Sequence, residues 1–95
     1  HIDVSDVTNM RGLFSNSYFN GDISQWNVSN VKNMSGMFYE SYFNKDVSDW
    51  DVSNVEDIHS MFYNSKFNKD LTNWKLLNLK NKENTFLNCE APIPY

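Results

Sequence analysis

Residues 27–50 read NVSNVKNMSGMFYESYFNKDVSDW, and residues 51–74 read DVSNVEDIHSMFYNSKFNKDLTNW. The two stretches are identical at 13 of 24 positions without a gap, so the chain repeats with a period of 24 residues. A period of this length is typical of repeat architectures, in which neighbouring units stack and share one core. The fold therefore depends on the structure of one unit and on how the units stack.

The repeat extends in both directions from this central stretch. A first unit covers residues 3–26, and a degenerate fourth unit covers residues 75–95. Apolar residues recur at fixed columns: Val4, Val28, Val52 and Leu76; Val7, Val31, Val55 and Leu79; Leu13, Met37 and Met61; Phe14, Phe38, Phe62 and Phe86; Phe19, Phe43 and Phe67; Ile23, Val47 and Leu71; and Ile2, Trp26, Trp50 and Trp74. We expect each column to form a ladder inside a shared core.

The apolar spacing within a unit predicts one strand and one helix. Polar and apolar residues alternate from Trp26 to Val28, which favours a short strand there. The helix is expected to begin after an N-cap at Ser29 or Asn30 and to end near Glu40. Its apolar stripe falls at Val31, Met34, Met37 and Phe38. The fold class predicted from this spacing is an α/β repeat.

The ends of the repeat array differ from its middle. Lys82 replaces a methionine of the second unit, and Pro92 and Pro94 follow, so residues 75–95 are expected to form a C-terminal cap. The chain enters in the middle of a unit at His1, with no corresponding cap. We expect either a fragment of a longer array or an end that a partner covers.

Length and charge exclude several classes of function. At 95 residues and 11.2 kDa the chain forms one repeat domain, residues 1–95, with no second domain to form a cleft. The net charge of −4 and the pI near 4.9 argue against nucleic acid and anionic lipid as partners. No apolar stretch is long enough to insert into a membrane. Cys89 shares its column with serines, which favours a small packed side chain over a reactive thiol.

No pattern in the repeat predicts catalysis. His1 and His59 do not recur in their columns, and neither has partners at the spacing of a catalytic or zinc site. We therefore predict no enzyme activity, no catalytic residue, no metal and no cofactor. One alternative stays open at the turn that precedes each strand, where an aspartate and an asparagine column run together. These residues, Asn20, Asn44, Asn68, Asp22, Asp46 and Asp70, either bond turn amides or bind Ca²⁺.

The repeated string W-[DN]-V-S-N-V-x-x-M-x-x-M-F, followed by F-N-x-D-[IVL]-[ST]-x-W, closely resembles the BspA-like repeats of bacterial surface proteins and mollicute lipoproteins. The resemblance covers residues 2 to about 89. It implies a right-handed, leucine-rich-repeat-like solenoid of strand-helix units. The order Ile23-x-x-Trp26-x-Val28 matches the L-x-x-L-x-L core of leucine-rich repeats, and this match places the short strand at residues 25–28. It also implies an extracellular or cell-surface location and a role in adhesion or protein binding.

Two functions remain as alternatives after these exclusions. The leading hypothesis is a non-catalytic module that binds a protein partner through the polar residues of the strand face, where the units differ from one another. The ligand-binding residues predicted on this face are Gln25, Asn27, Asp49, Asp51, Asn73 and Lys75, and the same columns begin with His1 and Asp3. The alternative is a structural component of a larger assembly that docks through its uncapped N-terminal end onto neighbouring repeats or subunits.

Overall fold

Successive repeat units lie side by side, and their backbones are hydrogen bonded to one another. A computed structural model describes residues 2–95, and the predictions that involve His1 lie outside the described residues. Isolated parallel bridges join Asn9 to Asn33, Asn33 to Asp57 and Asp57 to Asn81, each across 24 residues. The radius of gyration, 11.8 Å, is close to the value expected for a compact domain of this length.

The prediction of a right-handed, leucine-rich-repeat-like α/β solenoid of strand-helix units is wrong. Residues 2–95 contain no helix, and their only bridges are the isolated ones. Two residues in each unit have a positive φ, which an α-helix of L-residues cannot accommodate. In the second unit they are Gly36 at 62° and Glu40 at 51°, and the other units place Gly12, Asn16, Ser60, Asn64, Asn84 and Asn88 at the same columns.

Consecutive β-turns replace the predicted helix. The amide of Met37 donates to the carbonyl of Met34, and the amide of Ser41 donates to that of Phe38. The residue with positive φ is the third residue of each of these turns, where glycine and asparagine are favoured. The apolar spacing of three and four residues therefore reflects the lengths of successive turns.

The strand predicted at residues 25–28 is absent as well, since turns lie on both sides of it. The amide of Trp26 donates to Ile23, and the amide of Val31 donates to Val28. Ser29, proposed as an N-cap, instead donates its backbone amide to Oδ1 of Asn27 at 3.0 Å. Short polar side chains that bond the backbone two residues ahead compete with both helix and strand.

One set of backbone hydrogen bonds runs from each unit to the next, and we call this set the amide rows. Other backbone hydrogen bonds run the opposite way, as from the amide of Lys32 to Thr8 at 2.8 Å and from the amide of Tyr42 to Ser17 at 3.0 Å. The amides of Met34, Gly36, Phe38 and Glu40 donate to the third unit at 2.7–2.9 Å. The carbonyls of the residues before them accept from the first unit, as Asn33 does from Met10 at 2.8 Å. Each of these peptide groups thus accepts from the preceding unit and donates to the following one. The amide rows give the stack a polarity.

Aromatic ladders form the centre of the core, and this prediction is confirmed. Phe62 stacks on Phe38 and on Phe86 with ring centroids 5.4 Å apart, and Trp50 stacks on Trp74 at 6.5 Å. The second and third units are closed around these rings, and their methionines and phenylalanines are fully buried. The tryptophan ladder does not extend throughout the stack, because Trp26 packs on Phe14, at 6.0 Å.

Core columns that are buried in the middle units are partly exposed to solvent in the first unit. Leu13 is 49% exposed, whereas Met37 in the same column is fully buried. Ile2, which precedes the first unit in the tryptophan column, is 67% exposed, whereas Trp50 is 4% exposed. At the opposite end Phe86 remains 8% exposed, because the Tyr95 ring lies 6.1 Å from it.

Candidate functional site

The six residues predicted to bind a ligand all have exposed side chains, and we call their surface the Asp49 face. It consists of Gln25, Asn27, Asp49, Asp51, Asn73 and Lys75. The backbone that carries them is not a strand, so the prediction of a strand face is wrong in its secondary structure. Turns present these side chains on either side of Trp26, which is partly buried, and of Trp50 and Trp74, which are buried.

Two members of the Asp49 face help to hold the turns. Asn27 accepts from the amide of Ser29, and Asp51 accepts from both the amide and the hydroxyl of Ser53, at 3.0 and 2.7 Å. Gln25, Asp49, Asn73 and Lys75 make no side-chain hydrogen bond or ion pair within residues 2–95. These four side chains are therefore free to contact a ligand without loss of a turn.

The structure brings most of the face together around two adjoining hollows. One, of about 260 Å³, is lined by Asp49, Asp51, Asn73 and Lys75 together with the backbone around Trp50. The other, of about 570 Å³, is lined by Gln25 and Asp49 and by the turn residues Asp22, Lys45 and Asp46. Asp49 is the residue shared by both hollows, and Asn27 lines neither of them.

Carboxylates give these hollows a negative potential. The amide of Ser24 lowers the pKa of Asp22, and the amide of Ser48 lowers the pKa of Asp46, because a hydrogen bond to the charged form favours it. The hydroxyl of Ser53 is the main cause of the lowered pKa of Asp51. These groups stay ionised at neutral pH, so the face favours a partner with cationic groups.

The repeat itself matches a known family model. The model, described as a Mycoplasma protein of unknown function, DUF285, covers residues 1–93. The chain belongs to the DUF285 family. This agrees with the mollicute part of the resemblance predicted from the repeat. No curated protein and no solved structure gives a significant match.

In this DUF285 chain the asparagine and aspartate columns hold turns and connect units. The carboxylates of Asp22, Asp46 and Asp70 each accept from the amide two residues ahead, at 2.8–2.9 Å. Asn20 and Asn44 accept from the amides of the equivalent asparagines one unit later, at 2.8 and 3.0 Å. Within residues 2–95 no group of three or more His, Cys, Asp or Glu side chains is placed to hold a metal ion.

A second ladder was not predicted from the sequence. The side-chain amides of Asn30, Asn54 and Asn78 donate to the carbonyl of the serine 25 residues earlier, at 2.7–2.8 Å. The recurrence of asparagine at this column was visible, but a role as helix N-cap accounted for it equally well. In the DUF285 fold, the asparagine side chains of this column connect each unit to the preceding one by a hydrogen bond.

The remaining reactive side chains lie outside the Asp49 face. His59 is exposed on the surface of the third unit. Cys89 is half-buried with Sγ 3.1 Å from the carbonyl oxygen of Phe67, and burial raises the pKa of its thiol. A raised pKa lowers the thiolate fraction, which agrees with the predicted packed side chain. No helix in the described part of the chain meets the length and hydropathy of a membrane span.

Exposed tyrosines form a surface that sequence reasoning missed. Tyr18 is 81% exposed and Tyr42 is 50% exposed, and their rings lie 4.8 Å apart. Tyr39 and Tyr63 stack at 5.0 Å in a neighbouring column. The signal was present in the sequence, since the Tyr18 column continues with Lys66 and Glu90 and so varies as the Asp49 face does.

Proposed function

We propose that this chain is a non-catalytic module that binds a protein partner through the Asp49 face. The observation that carries the proposal is the position of Asp49, an exposed carboxylate without an intramolecular partner at the junction of two hollows. Almost every other aspartate in the chain accepts a hydrogen bond from its own turn. A free carboxylate on a rigid turn is available for a charge-assisted hydrogen bond to a lysine or arginine of the partner.

The variation between units supports the same surface. One column of the Asp49 face runs amide, carboxylate, amide, and the other runs amide, carboxylate, cation, whereas the core and turn columns retain their chemistry through the first three units. A repeat array can become specific at such columns without a change in its stacking. The resemblance to BspA-like repeats adds the finer part of the proposal, which is a place in a surface or secreted protein with a role in adhesion.

Binding to an array of immobilised secreted and cell-surface proteins tests this proposal. The variant Asp49→Ala with Asn73→Ala is compared with the wild type and with Glu90→Ala, which removes another exposed carboxylate outside both hollows. We expect the paired variant to weaken each specific interaction at least about tenfold, the effect of one lost charged hydrogen bond. An unchanged set of interactions would exclude the Asp49 face as the site.

A second candidate function is structural, since the first unit presents an open apolar surface. A hollow of about 660 Å³ at this end is lined by Ile2, Leu13, Phe14, Phe19, Ile23 and Trp26, together with polar neighbours. The corresponding side chains of the second unit are covered by the first. Exposed core columns favour docking of another protein at this end. Loss of assembly in Leu13→Asp, with binding to the array retained, is the result that supports this role.

A further inference from the structure

A hollow of about 250 Å³ spans the first three units outside the Asp49 face, and we call it the Arg11 hollow. Its side chains include Arg11, the only arginine of the chain, and His59. Within residues 2–95 no carboxylate lines it, although the chain carries a net charge of −4 and aspartates line both hollows of the Asp49 face. The Arg11 hollow therefore suits a ligand of the opposite charge.

The Arg11 hollow forms where a short side chain lies between two long ones. Arg11, Ser35 and His59 are 24 residues apart and occupy one column of successive units, and Glu83, which continues the column, does not line the hollow. Ser35 is buried, whereas Arg11 and His59 are exposed. Neighbouring paired backbones lie about 4.8 Å apart, so roughly 10 Å separates the backbones of Arg11 and His59. Two long side chains at this separation can donate to one small anion between them.

The donors of the Arg11 hollow have no acceptor elsewhere in the described part of the chain. Within residues 2–95 the side chains of Arg11, Ser15, His59 and Ser60 make no hydrogen bond and no ion pair, and only backbone amides of Arg11 and His59 donate to a side chain. A guanidinium is permanently charged and presents its N–H groups in the plane that a carboxylate or a sulfate requires. An imidazole donates an N–H in either protonation state. These four side chains are therefore available to an oxyanion and its neighbouring hydroxyls.

One face of a tyrosine ring also lines the Arg11 hollow. Tyr39 stacks on Tyr63 with ring centroids 5.0 Å apart, which covers one face of its ring. The first unit places Ser15 in the same column, and a serine is too short to cover the other face. The face of an aromatic ring is electron-rich and attracts the C–H groups of a ligand that packs on it. The hollow thus combines a cation and hydroxyls with a surface for an apolar ring face.

We propose that the Arg11 hollow binds one acidic sugar residue, with its carboxylate or sulfate between Arg11 and His59 and its ring on Tyr39. The hydroxyls of Ser15 and Ser60 would bond the hydroxyls of the sugar. The volume is below the roughly 300 to 1,000 Å³ of pockets for drug-sized ligands, so the hollow accepts a single residue of a glycan. The ring face and the hydroxyls distinguish this ligand from a free anion, which would contact Arg11 and His59 alone.

Titration of the isotope-labelled chain with small probes, followed by NMR, tests the proposal. Methyl glucuronide supplies a carboxylate on a sugar and glucose 6-sulfate supplies a sulfate, so the tighter of the two identifies the acidic group. Methyl glucoside is the neutral sugar, acetate and inorganic sulfate are anions without a ring, and phosphotyrosine represents a phosphorylated peptide. We expect a Kd on the order of 1 mM for an acidic sugar, the affinity that about a dozen non-hydrogen atoms provide at modest efficiency. The other probes should bind at least about tenfold more weakly.

Matched variants locate the binding site. Arg11→Gln removes the cation, and Lys69→Gln makes the same change of charge at an exposed position that does not line the hollow. Gly36→Asn fills the hollow without loss of the turn, because Asn84 occupies the same column at a φ of 58° and a Cβ on Gly36 has no atom within 3.8 Å. Circular dichroism establishes that each variant is folded.

Arg11→Gln and Gly36→Asn should each weaken acidic-sugar binding at least about tenfold, whereas Lys69→Gln and Asp49→Ala leave it unchanged. Chemical-shift changes should centre on the amides of Gly12, Gly36 and His59. The proposal is overturned if neither acidic sugar binds at about 10 mM, tenfold above the expected Kd. It is overturned equally if a free anion or phosphotyrosine binds as tightly, or if Arg11→Gln has no effect. Asp49 does not line this hollow, so these outcomes are independent of binding through the Asp49 face.

Discussion

Truncation of Phe62 tests the aromatic ladder at its centre. Phe62 is fully buried between Phe38 and Phe86, with ring centroids 5.4 Å away on each side, and it also packs on Phe67 at 4.6 Å. Phe62→Ala removes the ring and leaves a cavity that neighbours on both sides hold open. Buried phenylalanine-to-alanine changes cost about 3 to 5 kcal/mol, and lost aromatic contacts place this site in the upper half of that range.

Phe14 provides a matched control in the same column. Its ring stacks on Phe38 at 5.7 Å, but it is only partly buried, and within residues 2–95 no unit covers its other side. Phe14→Ala removes less buried area and leaves no enclosed cavity, so we expect a cost of about 1 to 2 kcal/mol. The difference between the two variants measures what enclosure by a second neighbour contributes.

Urea denaturation monitored by tryptophan fluorescence gives both values. A domain of this size can be only about 5 kcal/mol stable, so Phe62→Leu accompanies the alanine variant in case the latter does not fold. The expected order of stability is wild type, Phe14→Ala, Phe62→Leu and then Phe62→Ala. Equal costs for the two alanine variants, or a cost below about 1 kcal/mol at Phe62, would refute the assignment of this column to the core.

Four further predictions concern the turns, the pH dependence of stability, the Asp49 face and the thiol of Cys89. Gly36→Ala should cost about 1 kcal/mol in urea denaturation, because φ is 62° and the new methyl has room, whereas Glu40→Asn should gain about 0.5 to 1 kcal/mol at a φ of 51°. Opposite signs would contradict the turn assignment. The hydrogen bonds that lower the pKa of the carboxyls of Asp3, Asp22, Asp46, Asp51 and Asp70 stabilise the fold fully above about pH 4, and this contribution is lost as pH falls through their lowered pKa values. Thermal midpoints measured from pH 6 to pH 2.5 should therefore fall, and a rise would contradict this account. Asp51→Ala should lower the urea midpoint while Asp49→Ala leaves it unchanged, since only Asp51 accepts a turn hydrogen bond; equal effects would argue against that distinction. Because Cys89 is half-buried and burial raises the pKa of its thiol, it should react with a thiol reagent at pH 8 at least about tenfold more slowly in the folded chain than in urea. Equal rates would show that the folded chain does not bury this side chain.

The period, the core columns and the exposed face were predictable from the sequence, and the elements within a unit were not. Identical residues 24 apart identify stacked columns whatever the backbone between them does, so the phenylalanine ladder followed from the repeat. The spacing of Val31, Met34, Met37 and Phe38 fits a helix and a series of three-residue turns equally well. Only the glycine and asparagine at the columns of Gly36 and Asn64 distinguished the two, because those residues tolerate a positive φ.

The exposure of the proposed site was predictable to the same degree, and its role in binding stays a prediction. Variation between units identified the Asp49 face, and the exposure of all six residues agrees with it. Sequence could not separate Asp49 from Asp51, since both are aspartates beside a tryptophan and only the turn geometry gives Asp51 a partner. The amide rows consist of backbone groups and have no side-chain signal, so their direction could not be predicted from the sequence.

Amide hydrogen exchange measured by NMR tests the direction of the amide rows, and with it the stacking of turn-built units. In dilute monomer, the amides of Ile58, Ser60, Phe62 and Asn64 should be strongly protected, because each donates to the fourth unit. The equivalent amides of Lys82, Asn84, Phe86 and Asn88 have no acceptor within residues 2–95 and should exchange at least about a hundredfold faster. Equal protection of the two sets in dilute monomer, or helical exchange and chemical shifts across residues 31–40, would contradict the account.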